Sequence, residues 1–189
     1  MLKIALDTCI FIDFFLIYSK EDKKQKIPDS LKRSRILLSV YESGEFENVM
    51  TYWNLWELRQ VIMKIRLEQK YIESGYSTRE FGDAKKEIVL EQQELVLVHK
   101  AVLDLWKNSK KGEAFISETD YNLIERLTQK GYPFMDLVLI LQAKRNKCDF
   151  FVTRDNRLTY LKPLYENFGI EIIGIKEFLD ILKRANNTN

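Results

Sequence analysis

Met1-Leu-Lys-Ile-Ala-Leu-Asp7-Thr8-Cys9-Ile-Phe-Ile-Asp13 is the stretch that decides the fold. A short apolar run, Ile4 to Leu6, leads straight into a carboxylate, and a second apolar run of helical character follows from Ile10 to Tyr18. Lys3 to Asp7 reads as a central parallel strand, because a strand covered on both faces is continuously apolar rather than alternating. Aspartate is disfavoured within strands, so Asp7 marks the strand's carboxyl end. That edge is where open α/β sheets place their ligands.

Outward from this stretch, short apolar strands alternate with helical segments. Lys20 to Pro28 reads as a polar loop, and Ser30 as the cap of a helix over 31–43 that Gly44 stops. Asn48 to Thr51 is a second strand. From Trp53, the residues Leu55, Leu58, Val61, Ile62 and Ile65 share one helical face. Gly75 ends that helix, and Ser77-Thr-Arg-Glu80 has the pattern of a capping box. It would open a long helix over 78–107 with Ile88, Leu95, Val98, Val102 and Leu105 on its apolar side. Residues 66–115 are accordingly read as an inserted α-helical hairpin, closed by the basic run Lys107 to Lys111. A helix over 117–130 stops at Gly131, and Pro133 opens the next. A third strand covers 149–153, a fourth 171–175, and a closing helix 176–184. The alternation predicts an α/β/α sandwich around a central parallel sheet. Residues 1–185 would form a single domain, and 186–189 a frayed tail. No internal repeat or low-complexity segment interrupts it.

Composition supports one folded domain. The chain has 189 residues, of which 46% are hydrophobic, enough to fill a core. The 31% that are charged lie on mixed-sign helical faces, unlike a disordered chain. A net charge of +2 neither requires nor excludes nucleic acid, so local patches decide. The two cysteines, Cys9 and Cys148, make neither a disulfide framework nor a zinc spacing, and the cytoplasm is the expected compartment. The single histidine, His99, excludes a histidine-rich metal site and disfavours Ser-His-Asp chemistry. Asp7 and Asp13 interrupt the opening apolar run, which is therefore not read as a signal peptide. No stretch is long and apolar enough to span a bilayer.

Four acids stand at or near element ends: Asp7, Glu57, Asp136 and Asp155. Our reading is that they converge at one end of the sheet to bind a divalent metal. Hard ions such as Mg²⁺ and Mn²⁺ take oxygen ligands, and clustered carboxylates without a cation would force at least one to keep its proton. Each acid also has a plainer role available. Asp136 and Glu57 near helix starts complement the helix dipole, and Asp155 before Asn156 suits a turn. Asp13 is expected to face solvent or make a local pair, and Asp149 to be structural. No G-x-G-x-x-G follows the first strand and no phosphate-binding G-x-x-x-x-G-K-[ST] occurs. A haloacid-dehalogenase-type phosphatase would need an aspartate where Cys9 stands, and a receiver domain an acidic pair after the first strand.

Taken together, four segments resemble a PIN-domain nuclease, the fold of VapC-type toxins. They are Ile4 to Asp13, Thr51 to Leu58 around Glu57, Pro133 to Ala143 around Asp136, and Asp149-Phe-Phe-Val-Thr153-Arg154-Asp155. The resemblance implies a PIN-like sandwich in which Asp7, Glu57, Asp136 and Asp155 are metal-binding and catalytic, holding Mg²⁺ or Mn²⁺. It implies Thr8 and Thr153 as hydroxyls supporting those ligands, RNA as substrate and endoribonuclease activity. By the same resemblance, an antitoxin protein is a possible partner and a homodimer the expected assembly. Cys9 departs from the family, which often has Asn or Ser there. The gap between Glu57 and Asp136 exceeds that of compact toxins, and the hairpin accounts for it. Basic residues that could follow a phosphate backbone are Lys20 to Lys26, Arg33, Arg35, Lys107 to Lys111, Lys144, Arg145 and Lys147. Arg154, beside Asp155, is singled out for phosphate contact. Trp53 and Trp56 flank Glu57 and are expected to pack in the core rather than stack on bases. The alternative is a non-catalytic RNA- or protein-binding module on the same fold.

Overall fold

In the computed structural model, residues 1–77, 89–159 and 166–186 are described. The chain begins with β1 (Lys3–Leu6) and α1 (Thr8–Asp22), then a 3-10 turn (Asp29–Leu31) runs into α2 (Lys32–Glu42). β2 (Glu47–Met50) leads to α3 (Tyr52–Glu73), and α4 (Gln92–Lys107) to β3 (Lys110–Lys111). There follow α5 (Glu118–Thr128), α6 (Phe134–Arg145), β4 (Phe150–Thr153), the short α7 (Asn156–Thr159), β5 (Glu171–Gly174) and α8 (Ile175–Asn186).

All five strands are parallel, in the order β3-β2-β1-β4-β5. β1 is therefore central, with β2 on one side and β4 on the other. The chain reverses its direction of travel across the sheet at β1, and a crevice opens between the ends of β1 and β4 at such a switch point. Alternate side chains serve opposite faces. Ile4, Leu6, Met50, Val152 and Ile173 join one core, shared with α1, α2, α3, α4 and α8. Ala5, Val49 and Phe151 join a second, built largely from α5 and α6. The sheet is thus covered on both faces, which explains why β1 and β4 read as unbroken apolar runs. α6 is buried along its whole apolar body, Leu137 to Ala143.

α3 follows its predicted face. Leu58 and Ile62 are fully buried, and such side chains contribute about 1.5–3 kcal/mol each on burial. Gly75 ends the helix segment with φ +87°, a backbone region open to glycine without strain. α3 packs on α4, and Lys70 and Arg66 both reach Glu94 across that seam, at 2.8 and 3.1 Å.

Several local expectations change. The predicted helix over 78–107 is not continuous: α4 starts at Gln92, capped by Glu91 with Glu94, and residues 89–91 precede it without helical structure. The expected capping box falls largely on residues 78–80, and Ile88 with them, outside the described residues. Leu95 is more than one-third exposed. α1 continues to Asp22, shortening the loop, and Ser30 caps nothing because a 3-10 turn enters α2 through Leu31. Asn186 is helical rather than frayed, and 187–189 lie outside the described residues. The basic run holds an unpredicted strand, β3, two exposed lysines paired with Val49 and Met50. Lysine suits a sheet edge because it discourages further strand pairing. Gly112 follows it where a Cβ would come within 2.7 Å of Val49 Cγ1. No helix among the described residues is long and apolar enough to cross a membrane.

Candidate functional site

Asp7 leaves the end of β1 and caps α1. Its backbone N–H donates to Val152 O at 2.9 Å, which ties it to β4. Its side chain is 5% exposed and accepts three kinds of donor. Thr153 Oγ1 donates to Oδ2 at 2.5 Å, the Cys9 thiol to the same oxygen at 3.1 Å, and Cys9 N to Oδ1 at 3.4 Å. Thr153, the last residue of β4, is fully buried and also accepts from the Asp155 N–H at 2.9 Å. One hydroxyl therefore couples the first acid to the loop carrying the last. Burial, reinforced by the Asp7 charge, pushes the Cys9 thiol's pKa far up, so it stays a donor.

Glu57 comes from the second turn of α3. Thr8 Oγ1 donates to its Oε2 at 2.5 Å. Burial raises the Glu57 pKa, the Thr8 hydroxyl opposes that rise, and the nearby Asp7 charge adds to it. Asp136 lies in the first turn of α6. Its pKa is pushed up to about 7 by burial first, and then by the charges of Asp7, Glu57 and Asp155. Four elements thus bring all four predicted acids into one electrostatically coupled group at the carboxyl edge of the sheet.

Arg157 was not anticipated. Its guanidinium embraces Asp155, with Nε 3.1 Å from each carboxylate oxygen and Nη2 2.5 Å from Oδ2. These bonds hold the Asp155 pKa below the usual range. The same charge lowers the proton affinity of Asp136. Arg157 N also donates to Asp155 Oδ1 at 2.9 Å, so Asp155 caps α7, the turn role its position suggested. No sequence signal marks Arg157 beyond its place two residues after Asp155.

No group of three His, Cys, Asp or Glu among the described residues is arranged to hold a metal ion. The donor set nonetheless fits a hard divalent cation. It offers carboxylates and hydroxyls, and a surplus of negative charge that adds to burial in raising the Asp136 pKa.

Asp13 overturns its expectation. It is fully buried, not solvent-facing. Ser34 Oγ donates to its Oδ2 at 2.6 Å, and Arg154 Nη1 stands 2.9 Å from Oδ1. That approach lies off the line of the N–H bonds, so Oδ1 has the ion pair without an aligned hydrogen bond. Burial raises the Asp13 pKa, while Ser34 and Arg154 oppose the rise. Asp149 is structural as expected, accepting from Lys3 N at 2.7 Å at the opposite edge of the sheet. Trp53 is half-buried and donates to Ala114 O at 3.2 Å, but Trp56 is 54% exposed and does not pack in the core. Of the other basic residues, Arg35 pairs with Glu21, Lys107 with Asp104, Lys110 with Glu47 and Arg145 with Asp120. His99 is exposed on α4.

No protein-family profile matches this chain, and no curated protein matches it.

Proposed function

We propose that this protein is a metal-dependent phosphodiester hydrolase on a PIN-like fold, an endoribonuclease of the kind found in VapC-type toxins. The observation that carries the reading is the convergence of Asp7, Glu57, Asp136 and Asp155 from four separate elements: Thr153 joins Asp7 to the Asp155 N–H, Thr8 next to Asp7 holds Glu57, and the charges of all three add to burial in raising the Asp136 pKa. The strand order, with β1 central and its acid at the switch point, supports the same reading.

Asp7, Glu57, Asp136 and Asp155 would hold Mg²⁺ or Mn²⁺. A bound ion of this class supplies Lewis acidity toward a phosphoryl oxygen and a nucleophilic water at neutral pH. The chain's own residues do the rest. Thr153 and the Cys9 thiol fix Asp7, and Thr8 fixes Glu57, so both carboxylates are oriented before any ligand arrives. Such supporting contacts tune affinity strongly. Arg157 balances Asp155 until a cation takes its place. Arg154, beside the acids, serves the substrate phosphate. RNA as substrate, an antitoxin partner and a homodimer follow from the PIN-like reading alone.

The test is cleavage of a mixed RNA panel by the purified protein with Mn²⁺, Mg²⁺ or EDTA, beside Asp7→Asn. Metal-dependent cutting lost in Asp7→Asn supports the hydrolase. A folded protein that neither cuts nor binds Mn²⁺ leaves the non-catalytic binding module.

A further inference from the structure

A cleft of about 450 Å³ lies at the carboxyl ends of β4 and β5, where α2 and α8 begin. Thr153 and Arg154 form part of its wall, so it adjoins the acid group through the hydroxyl that bonds Asp7. Its cationic lining is Arg33, Arg154, Lys176 and Arg184, and the acids Glu177 and Asp180 also line it.

Arg154 differs from an ordinary surface arginine. Its side chain is 46% exposed, yet its counter-ion Asp13 is 0% exposed. Taking a carboxylate out of water costs several kcal/mol in real proteins. A surface cation has no need of so costly an anchor. What the arrangement does achieve is a guanidinium held from behind by Asp13, itself fixed by Ser34. Because Nη1 meets Oδ1 out of line, its N–H bonds are not spent on Asp13. Arginine presents donors in a planar fork that matches phosphate oxygens. Arg33 and Lys176 form no ion pair with described residues, which leaves their charge to the cleft.

We propose that this cleft is a phosphate subsite for a single-stranded nucleic acid, with Arg154 as the contact and Asp13 as the buried residue that positions it. The assignment rests on the hydrolase reading for its substrate class. A strand whose scissile phosphate lies over the acids would set a neighbouring phosphate between Arg154 and Arg33.

The experiment measures binding of a fluorescein-labelled mixed-sequence RNA 12-mer to the full chain in EDTA, by anisotropy at several salt concentrations. Arg154→Gln and the double variant Arg33→Gln/Arg184→Gln are each expected to weaken binding at least five-fold and to flatten the salt dependence. Each lost phosphate contact should reduce the log-log slope by about 0.7. Asp13→Asn should reproduce part of the Arg154→Gln effect, and Asp13→Glu should restore some of it. Because Asp13 variants could unfold the chain, melting temperatures accompany them, and Arg154→Gln carries the test on its own. Lys100→Gln/Lys130→Gln, which removes equal charge elsewhere, should leave the slope nearly unchanged. The proposal is overturned if the wild type does not bind, if folded Arg154→Gln binds like wild type, or if the remote double variant weakens binding equally. Arg154-dependent binding without metal-dependent cleavage would sustain the subsite and refute the hydrolase. Asp7-dependent cleavage with KM unchanged in Arg154→Gln would do the reverse.

Discussion

Thr8 and Glu57, 49 positions apart, meet side chain to side chain, with Thr8 Oγ1 donating to Glu57 Oε2 at 2.5 Å. The bond draws the second acid toward the first, since Thr8 follows Asp7 directly. It also offsets the rise that burial and Asp7 impose on the Glu57 pKa. Thr8→Val should raise that pKa further and weaken Mn²⁺ binding about 10- to 100-fold at pH 6, with a smaller loss at pH 8. Thr8→Ser should bind like wild type. Calorimetric titration with Mn²⁺ at both pH values checks this, and equal affinities for all three proteins would count against it.

Asp136 makes the metal-free protein sensitive to pH. Its folded pKa of about 7 exceeds the 3.8 of an ordinary aspartyl group. Between those values the folded chain holds the proton and the unfolded chain has lost it, so stability falls as pH rises from about 4 to about 7. In EDTA the melting temperature should therefore decline across that window, and Asp136→Asn should flatten the decline. Mn²⁺ should reverse it, because the cation favours the ionised carboxylate. A melting temperature that climbs with pH in EDTA would contradict the electrostatic picture.

Thr153→Val keeps the shape of the side chain and removes the hydroxyl that joins Asp7 to the Asp155 N–H. A buried group left unpaired costs about 1–3 kcal/mol. The expected result is a loss of that size in urea unfolding, together with weaker Mn²⁺ binding. Unchanged stability with weaker binding would mean that water replaces the hydroxyl.

Arg157→Gln releases Asp155 from its guanidinium. The uncompensated charge should lower the melting temperature in EDTA while tightening Mn²⁺ binding several-fold, since the ion no longer competes with a resident cation. Weaker Mn²⁺ binding would instead show that Arg157 holds Asp155 in a ligating pose.

β1 and β4 were readable because a parallel sheet covered on both faces leaves such central strands nearly continuously apolar. Ile4 to Leu6 and Phe150 to Val152 need no other signal. β3 was not readable: Lys110 and Lys111 have no strand character, and only their pairing with Val49 and Met50 makes them one. The acids were legible from their positions at element ends. Their supports were not, because each depends on a distant meeting. Asn48 accepts from Leu6 N and donates to Ser109, a buried link between β1, β2 and the end of α4. Asp13 looked solvated because Ser34 and Arg154 are far away along the chain. Trp56 was expected inside because tryptophan is usually well buried, but it lies off the face set by Leu58 and Ile62.

β1 is the first strand of this sheet to be synthesised and the middle strand of the finished sheet. Its two neighbours begin at Glu47 and Phe150. Until β4 and the loop after it have been synthesised, Asp7 has no Val152 carbonyl to bond, no Thr153 hydroxyl beside it and no Asp155 linked to it through that hydroxyl. A nascent chain therefore cannot assemble the four acids until residue 155 has been added, however much of it has already folded. Any activity that needs all four is withheld until synthesis has passed residue 155.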